Sequence, residues 1–247
     1  MSEKIQKVLA KNGLGSRREI EQWISHGRIK VDGVVAQLGA RIDDTAKVLL
    51  DDKPVRLNNI AVDDTVLLYH KPEGELCTRH DPSGRPDVFS AIPHPKKGRF
   101  ISVGRLDLNT SGLLLFTTNG ELAHRLMHPS YGIEREYAVR VLGVASDIQL
   151  DQLQSGVLID GYMAKFTRIE QLQGAGANVW YRVVILEGRQ REVRRLWEAV
   201  GLTVSRLIRI RFGSIQLPKG LEKGQFVYLS HKEVELLKKS VNLAEVS

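Results

Sequence analysis

The stretch Val103–Thr118, Val-Gly-Arg-Leu-Asp-Leu-Asn-Thr-Ser-Gly-Leu-Leu-Leu-Phe-Thr-Thr, constrains this chain more than any other. Its second half holds four consecutive apolar residues, Leu113 to Phe116, a run of the length of a buried strand. Its first half is turn-prone and carries Arg105 and Asp107. The expected result is a carboxylate at the rim of a core. Between Leu106 and Leu108 that carboxylate loses part of its hydration, and the guanidinium of Arg105 favours its ionised form. A catalytic carboxylate is prepared in this way. The same residues also allow a second reading, in which Asp107 only caps a turn with its side-chain oxygen, as Asp does ahead of Asn, Ser and Gly. The stretch alone does not separate the two.

Upstream, Ile5, Val8 and Leu9 share one helical face and Asn12-Gly13 ends that helix. Ser16 and Glu19 form a capping-box pair that starts a second helix, with Ile20, Trp23 and Ile24 at helical spacing and Gly27 as its stop. Arg28 to Val34 then alternates into an Asp32-Gly33 turn. Two short helices and a hairpin make a small module, in which Arg17, Arg18, Arg28 and Lys30 are placed to grip phosphates as backbone anchors. Residues 1–60 hold eleven Lys and Arg against eight acids, so the patch depends on arrangement, and a merely solvated surface is the alternative. Asp51-Asp52-Lys53-Pro54 and Asn58-Asn59 break the pattern, which predicts domains at 1–60 and 61–247.

The second domain opens with a buried strand, Val66 to Tyr69, stopped by His70-Lys71-Pro72-Glu73-Gly74. Five of the eight prolines fall between Pro72 and Pro95, so the segment from Arg79 to Gly98 is expected as a long irregular loop, a flap over bound substrate. A helix through Glu121, Leu122, Leu126 and Met127 carries His124 and His128 at zinc-ligand spacing, but no third ligand accompanies them and no metal is expected. In the strand Arg135–Val141, Tyr137, Val139 and Val141 face inward, and the Tyr137 hydroxyl needs a partner, for which an ionised Asp would serve.

A second concentration of signal runs from Glu187 to Phe212. Val193, Leu196, Trp197 and Val200 form the apolar face of a helix ended by Gly201, and Arg194 lies beside that face, where it persists only if paired, a buried aspartate being the usual answer. After it, Ile208, Ile210 and Phe212 alternate with Arg209 and Arg211, predicting a strand with one core face and one basic face. Seven arginines between 189 and 211, Arg189 and Arg191 among them, suggest a phosphate-tracking groove. The net charge of +7 agrees with a polyanionic partner. No apolar run approaches a membrane span, and the polar start predicts no signal peptide. Cys77 is the single cysteine, which excludes an internal disulfide and fits a reducing cytoplasm.

Taken together, these segments resemble the pseudouridine synthases that modify ribosomal RNA. Ser16-Arg17-Arg18 with Gly27 to Gly33 is similar to an S4 domain, an RNA-binding module. Tyr69 to Gly74 is similar to the family's first motif, and Gly104-Arg105-Leu106-Asp107 through Thr110-Ser111-Gly112-Leu113 to its central one. The resemblance implies Asp107 as the essential aspartate, Tyr137 as the active-site tyrosine, Arg194 as the basic residue paired with Asp107, and Arg105 as the side chain that fills the gap left by a flipped base. Where many relatives carry His-Gln, this chain has Arg191-Glu192. The residues alone give an α+β protein with a basic groove. The resemblance adds a mixed, mostly antiparallel sheet split into two halves around the active site. It implies isomerisation of a uridine without cofactor or metal, on 23S ribosomal RNA or an assembling particle; a monomer in the cytoplasm with no membrane partner is the accompanying expectation, the oligomeric state being left open by the sequence. The rival expectation is a non-catalytic RNA-binding or ribosome-assembly factor in which Asp107 and Arg194 form a structural ion pair.

Overall fold

The computed structural model describes residues 2–43, 45–57, 64–79, 81–172 and 177–243. The chain separates into two compact units. One comprises Met1–Thr65, His94–Ile101 and Thr118–Gly120, the other Val66–Pro93, Ser102–Thr117 and Glu121–Ser247. The boundary expected near residue 60, with its breakers Asn58 and Asn59, lies outside the described residues.

The first unit contains β1 (Glu3–Lys4), α1 (Ile5–Lys11), α2 (Arg17–Ser25), β2 (Ile29–Val31), β3 (Val34–Val35), β4 (Arg41–Ile42), β5 (Val48–Leu50) and β6 (Lys53–Val55). α2 starts where expected: Ser16 Oγ accepts the Glu19 N–H at 3.1 Å and the Glu19 carboxylate accepts the Ser16 N–H at 2.6 Å. Such a cap contributes about 1 kcal/mol. Asp32 (φ +49°) and Gly33 (φ +87°) are the two left-handed residues of the β2–β3 hairpin. Asp51 (φ +50°) and Asp52 (φ +61°) do the same between β5 and β6, so the breakers after Leu50 make a second hairpin before the regular pattern ends. The strands order as β3-β2-β5-β6. Ile5, Leu9, Ile20, Ile24, Ile29, Ile42 and Val48 fill the core between helices and strands.

The second unit contains β7 (Val66–Lys71), β8 (Ile101–Ser102), β9 (Ser111–Thr117), α3 (Gly120–Met127), β10 (Arg135–Leu142), α4 (Asp147–Ser155), β11 (Val157–Ile159), β12 (Tyr162–Ala164), β13 (Arg168–Gln171), β14 (Asn178–Ile185), α5 (Glu192–Ala199), β15 (Thr203–Phe212), β16 (Ile215–Gln216), β17 (Phe226–Tyr228) and α6 (His231–Ser240). Its main sheet runs β13-β14-β10-β15-β9-β7-β17. Every neighbouring pair along it is antiparallel except β15 with β9, which pair in parallel over two rungs, Ile208 with Ser111 and Arg209 with Gly112. Two antiparallel halves thus meet at one short parallel seam, the mixed, mostly antiparallel split sheet that was expected. β9 is buried at every position, as its apolar run requires. At the seam, Gly112 has φ +110°, and a Cβ there would stand 2.2 Å from the carbonyl oxygen of Arg209. No other residue fits that approach.

β15 departs from its expected alternation. The buried positions are Val204, Leu207, Arg209 and Phe212, while Ile208 and Ile210 are only partly buried. The cause is a pair of bulges opposite β10: the register passes from Arg211 to Arg209 and from Arg206 to Val204, leaving Ile210 and Ser205 without partners. Each extra residue moves the chain to the other face. Arg209 therefore joins Tyr137 and Val139 on the buried face. Arg211 turns to the other side, where it pairs with Glu134 and Glu136. The described residues between Arg79 and Gly98 form no helix or extended strand, as their prolines predicted, and Arg79 lies 3.9 Å over the Phe89 ring.

Candidate active site

Residues 103–110 turn into β9, and bonds to their backbone fix them. Val103 N–H donates to Leu115 O (2.8 Å), Leu106 N–H to Cys77 Sγ (3.4 Å), Thr110 N–H to Asp107 O (3.1 Å) and Gly74 N–H to Leu108 O (2.8 Å). Lys71, fully buried at the end of β7, donates Nζ to the carbonyls of Pro72 (2.9 Å), Asp107 (3.2 Å) and Thr110 (3.0 Å). Burial pushes its pKa down, against the pull of carboxylates that include Asp107. Arg194, on α5, donates Nη2 to Asn109 O (2.9 Å) and Nη1 to Val204 O (2.8 Å).

All these bonds engage the backbone of the loop. The carboxylate of Asp107, half-buried, makes no hydrogen bond and no ion pair among the described residues. It is therefore not a turn cap. Nor is it paired with Arg194: the expected ion pair is absent, because two of the guanidinium nitrogens are held on main-chain carbonyls and Nε is sealed without a partner. Burial lowers the Arg194 pKa, and the Asp107 charge acts on it only at a distance.

Asp107 lines a cavity of about 990 Å³ in the second unit, within the ~300–1,000 Å³ usual for ligand sites. Arg105, Tyr137, Arg189, Arg191 and Arg209 line it as well. Arg105 is exposed. Arg189 stacks 3.9 Å over the Tyr162 ring and donates Nε to Glu187 at 2.8 Å. Arg191 stands at φ +53° as the residue before α5, a left-handed backbone that a non-glycine side chain adopts at some cost. Tyr137, 7% exposed, has a hydroxyl with no hydrogen-bond partner among the described residues, so the aspartate expected to meet it does not.

Three further residues belong to the cavity that sequence reasoning did not assign to it. Arg135 is buried and its guanidinium is satisfied by the carbonyls of Ile133, Leu186 and Leu126. Phe212 carries the guanidiniums of both Arg135 and Arg209 over its ring, at 5.2 and 5.3 Å. Glu192, 4% exposed, accepts the Arg189 N–H at 2.9 Å, and burial pushes its pKa up. Lys71, behind the loop, was visible only as part of a motif. Periodicity does not single them out for the cavity, since the polar partners of Arg135, Glu192 and Lys71 are main-chain groups and Phe212 is met by guanidiniums over its ring.

Arg209 is the large correction. Expected on an exposed basic face, it is 2% exposed at the cavity. Its Nε donates to Leu113 O at 2.7 Å, while neither terminal nitrogen has a hydrogen-bond partner among the described residues and Nη2 is sealed from solvent. An unbonded buried donor costs ~1–3 kcal/mol, and such costs gather where function needs them.

The other predicted residues lie elsewhere. Arg194 is buried behind the loop and Arg211 is ion-paired away from the cavity. In the first unit, Arg17 and Arg18 are exposed on α2 without a salt bridge among the described residues, whereas Arg28 and Lys30 pair with Asp51 and Asp52. The His124 and His128 rings lie 5.7 Å apart, with His128 bonded to Ser130. No group of three His, Cys, Asp or Glu suited to a metal occurs among the described residues. Cys77 is partly buried and its pKa is raised by that burial, so it packs and accepts a hydrogen bond. Among the described residues of 79–93, none lines the cavity. No helix among the described residues is long and apolar enough to cross a membrane.

Comparison with known proteins bears on this geometry. Residues 65–199 match the RNA pseudouridylate synthase family and residues 3–48 match the S4 domain. The chain is 50% identical to ribosomal large subunit pseudouridine synthase B of Pseudomonas aeruginosa, over all of this chain and 64% of that protein. It is 54% identical to the Escherichia coli protein of the same name, over 98% of this chain and 84% of the other. The chain thus spans just under two thirds of the first relative's length and more of the second's. A solved pseudouridylate synthase crystal structure is similar over 95% of this chain and 99% of its own, with 26% identity and a TM-score of 0.66. The chain belongs to the RNA pseudouridylate synthase family.

Proposed function

We propose that this chain converts one uridine of large-subunit ribosomal RNA to pseudouridine, with Asp107 as the essential carboxylate. The observation that carries the proposal is that carboxylate itself: its loop is bonded on every side through the main chain, and its oxygens are left without a partner at a cavity ringed by arginines. A structural aspartate would be engaged. The assembly-factor reading requires Asp107 to hold Arg194, and no such bond is formed. The names of the relatives supply the RNA, since both are synthases of the large ribosomal subunit.

In this reading the N1–C1′ bond of the uridine breaks, the uracil turns, and C5 bonds to C1′. Positive charge develops on the ribose as the base departs, and a carboxylate beside it stabilises that charge. Asp107 adds to C1′ or to C6, or takes a proton from C2′. Tyr137 stacks on the uracil. Reaching the cavity requires the nucleotide to leave its helix, and Arg105, exposed at the rim, occupies the vacancy. Arg189 and Arg191 hold phosphates at the same rim. Arg194 acts by fixing Asn109 and so the loop. The S4-like module, assigned to residues 1–60, adds phosphate contacts through Arg17 and Arg18, and the domain assigned to 61–247 acts as a monomer in the cytoplasm.

Asp107→Asn tests the reading. Isomerisation of ribosomal RNA should be lost while RNA affinity stays within a few-fold, because binding rests on many phosphate contacts and only the chemistry on this group. Pseudouridine mapping of large-subunit RNA from cells with and without the protein identifies the site. Full activity in the variant ends the assignment.

A further inference from the structure

We propose that Arg209 is a further catalytic residue, whose unpartnered guanidinium nitrogens take up the negative charge that develops on the uracil as its bond to ribose breaks. The inference rests on the assignment of the cavity above. Three observations carry it. First, Arg209 is a buried cation at the cavity with no carboxylate bonded to it among the described residues, and of its nitrogens only Nε is hydrogen-bonded, to Leu113 O. Its neighbour Arg135 differs, since main-chain carbonyls occupy both of its terminal nitrogens. Second, Arg209 is the cross-strand partner of Tyr137, a register that sets two side chains about 5 Å apart at their Cβ atoms. A uracil stacked on the Tyr137 ring has its carbonyl edge within reach of that guanidinium. Third, the bulge at Ile210 is what turns Arg209 inward, and Gly112 permits the close approach that seats its backbone against β9, the strand that follows the Asp107 loop.

The chemistry needs such a group. Heterolysis of the N1–C1′ bond leaves the electron pair on N1, delocalised onto O2 and O4 of the uracil, and leaves the positive charge at C1′ for Asp107 to balance. The C5–C1′ bond then forms, the C5 proton departs and N1 gains a proton, so no further reactant is consumed. A fixed donor aimed at the developing oxyanion, in a site away from water, accelerates such a step. A phosphodiester fits this position poorly. It carries chain on both sides, and the arginines with exposed surface for it are Arg105, Arg189 and Arg191, whereas Arg209 is 2% exposed.

The test uses Arg209→Gln and Arg209→Lys in the full chain with an RNA substrate, read as Kd and as the single-turnover rate at saturating enzyme. Both variants keep a donor for Leu113 O, and they differ in charge. Arg209→Gln is expected to slow the saturating rate about 100-fold or more, with Kd within ~3-fold, and Arg209→Lys to recover at least ~10-fold of that loss. With 5-fluorouridine at the target, a better leaving group, the Gln defect in N1–C1′ cleavage should shrink to under ~10-fold. A weaker Kd and a shallower salt dependence at an unchanged saturating rate would make Arg209 a phosphate anchor and overturn the proposal. So would equal rates for Gln and Lys, or a defect indifferent to fluorine. Should Arg209→Gln fail to fold, the fluorouridine comparison on Arg209→Lys decides alone: a defect of Arg209→Lys against wild type that fluorine shrinks supports the proposal, and one it leaves unchanged overturns it. Asp107→Asn run alongside separates the two readings, since activity there removes the assignment of the cavity itself, whereas a dead Asp107→Asn with a fully active Arg209→Gln removes only the role of Arg209.

Discussion

Glu192 is 4% exposed at the start of α5, and the consequence is a dependence of stability on pH. Burial raises its folded-state pKa above that of the unfolded chain, so its contribution to folding is fully present below the unfolded pKa, about 4.3, and is lost as pH rises through the folded value. Glu192→Gln keeps an acceptor for the Arg189 N–H and carries no charge. The variant should match wild type at the acid end and be the more stable of the two at neutrality. Urea unfolding of both proteins between pH 4 and 8 measures the gap, and a variant less stable at pH 7 would show that the carboxylate is held by its surroundings. Of the cavity's residues, Asp107, Tyr137 and Arg105 were legible in the sequence because each lies in a patterned segment. The role of Arg135 was not, for a cation solvated by main-chain carbonyls leaves no complementary residue to find.

At the scale of elements, the seam between β15 and β9 depends on Gly112. Alanine there would meet the Arg209 carbonyl at 2.2 Å in a backbone region unfavourable to side chains, so Gly112→Ala should cost at least ~3 kcal/mol, the upper end of ordinary overpacking. Gly104→Ala is the control, with φ +79° but nothing within 4 Å, and should lose only the ~1–2 kcal/mol of a left-handed backbone. Equal denaturation midpoints for the two would contradict the close approach. Elements defined by local rules were read correctly, as with the Ser16–Glu19 cap and the hairpin at Asp32-Gly33. β15 was misread because two bulges each add a residue, and a bulge follows from the partner strand, which no alternation within β15 itself encodes.

For the whole molecule, the net charge of +7 matters less than which cations are unpaired. Arg17 and Arg18 are exposed on α2 without a salt bridge among the described residues, while Arg28 and Lys30 are already matched by Asp51 and Asp52. Replacing Arg17 and Arg18 with Gln should lower the salt dependence of RNA binding by up to ~1.5–2 in log–log slope. The same change at Arg28 and Lys30 should lower it less. Identical slopes in all three proteins would show that α2 does not meet the RNA. Residues 94–101 and 118–120 cluster with Met1–Thr65 in the first unit.

The two rungs of the seam join Ile208 to Ser111 and Arg209 to Gly112, so the strand bearing Arg209 reaches its neighbour only after a detour of roughly 100 residues, the kind of non-local closure that slows folding. During synthesis at ~5–20 residues per second, Asp107 emerges many seconds before the strand that completes its surroundings. Tyr137 waits in between, on a strand whose partners β14 and β15 both follow it in the chain. By contrast, the buried cluster of Ile5, Leu9, Ile20, Ile24, Ile29, Ile42 and Val48 lies, among the described residues, within the first 48 of the chain. A nascent chain has that core long before it has a cavity.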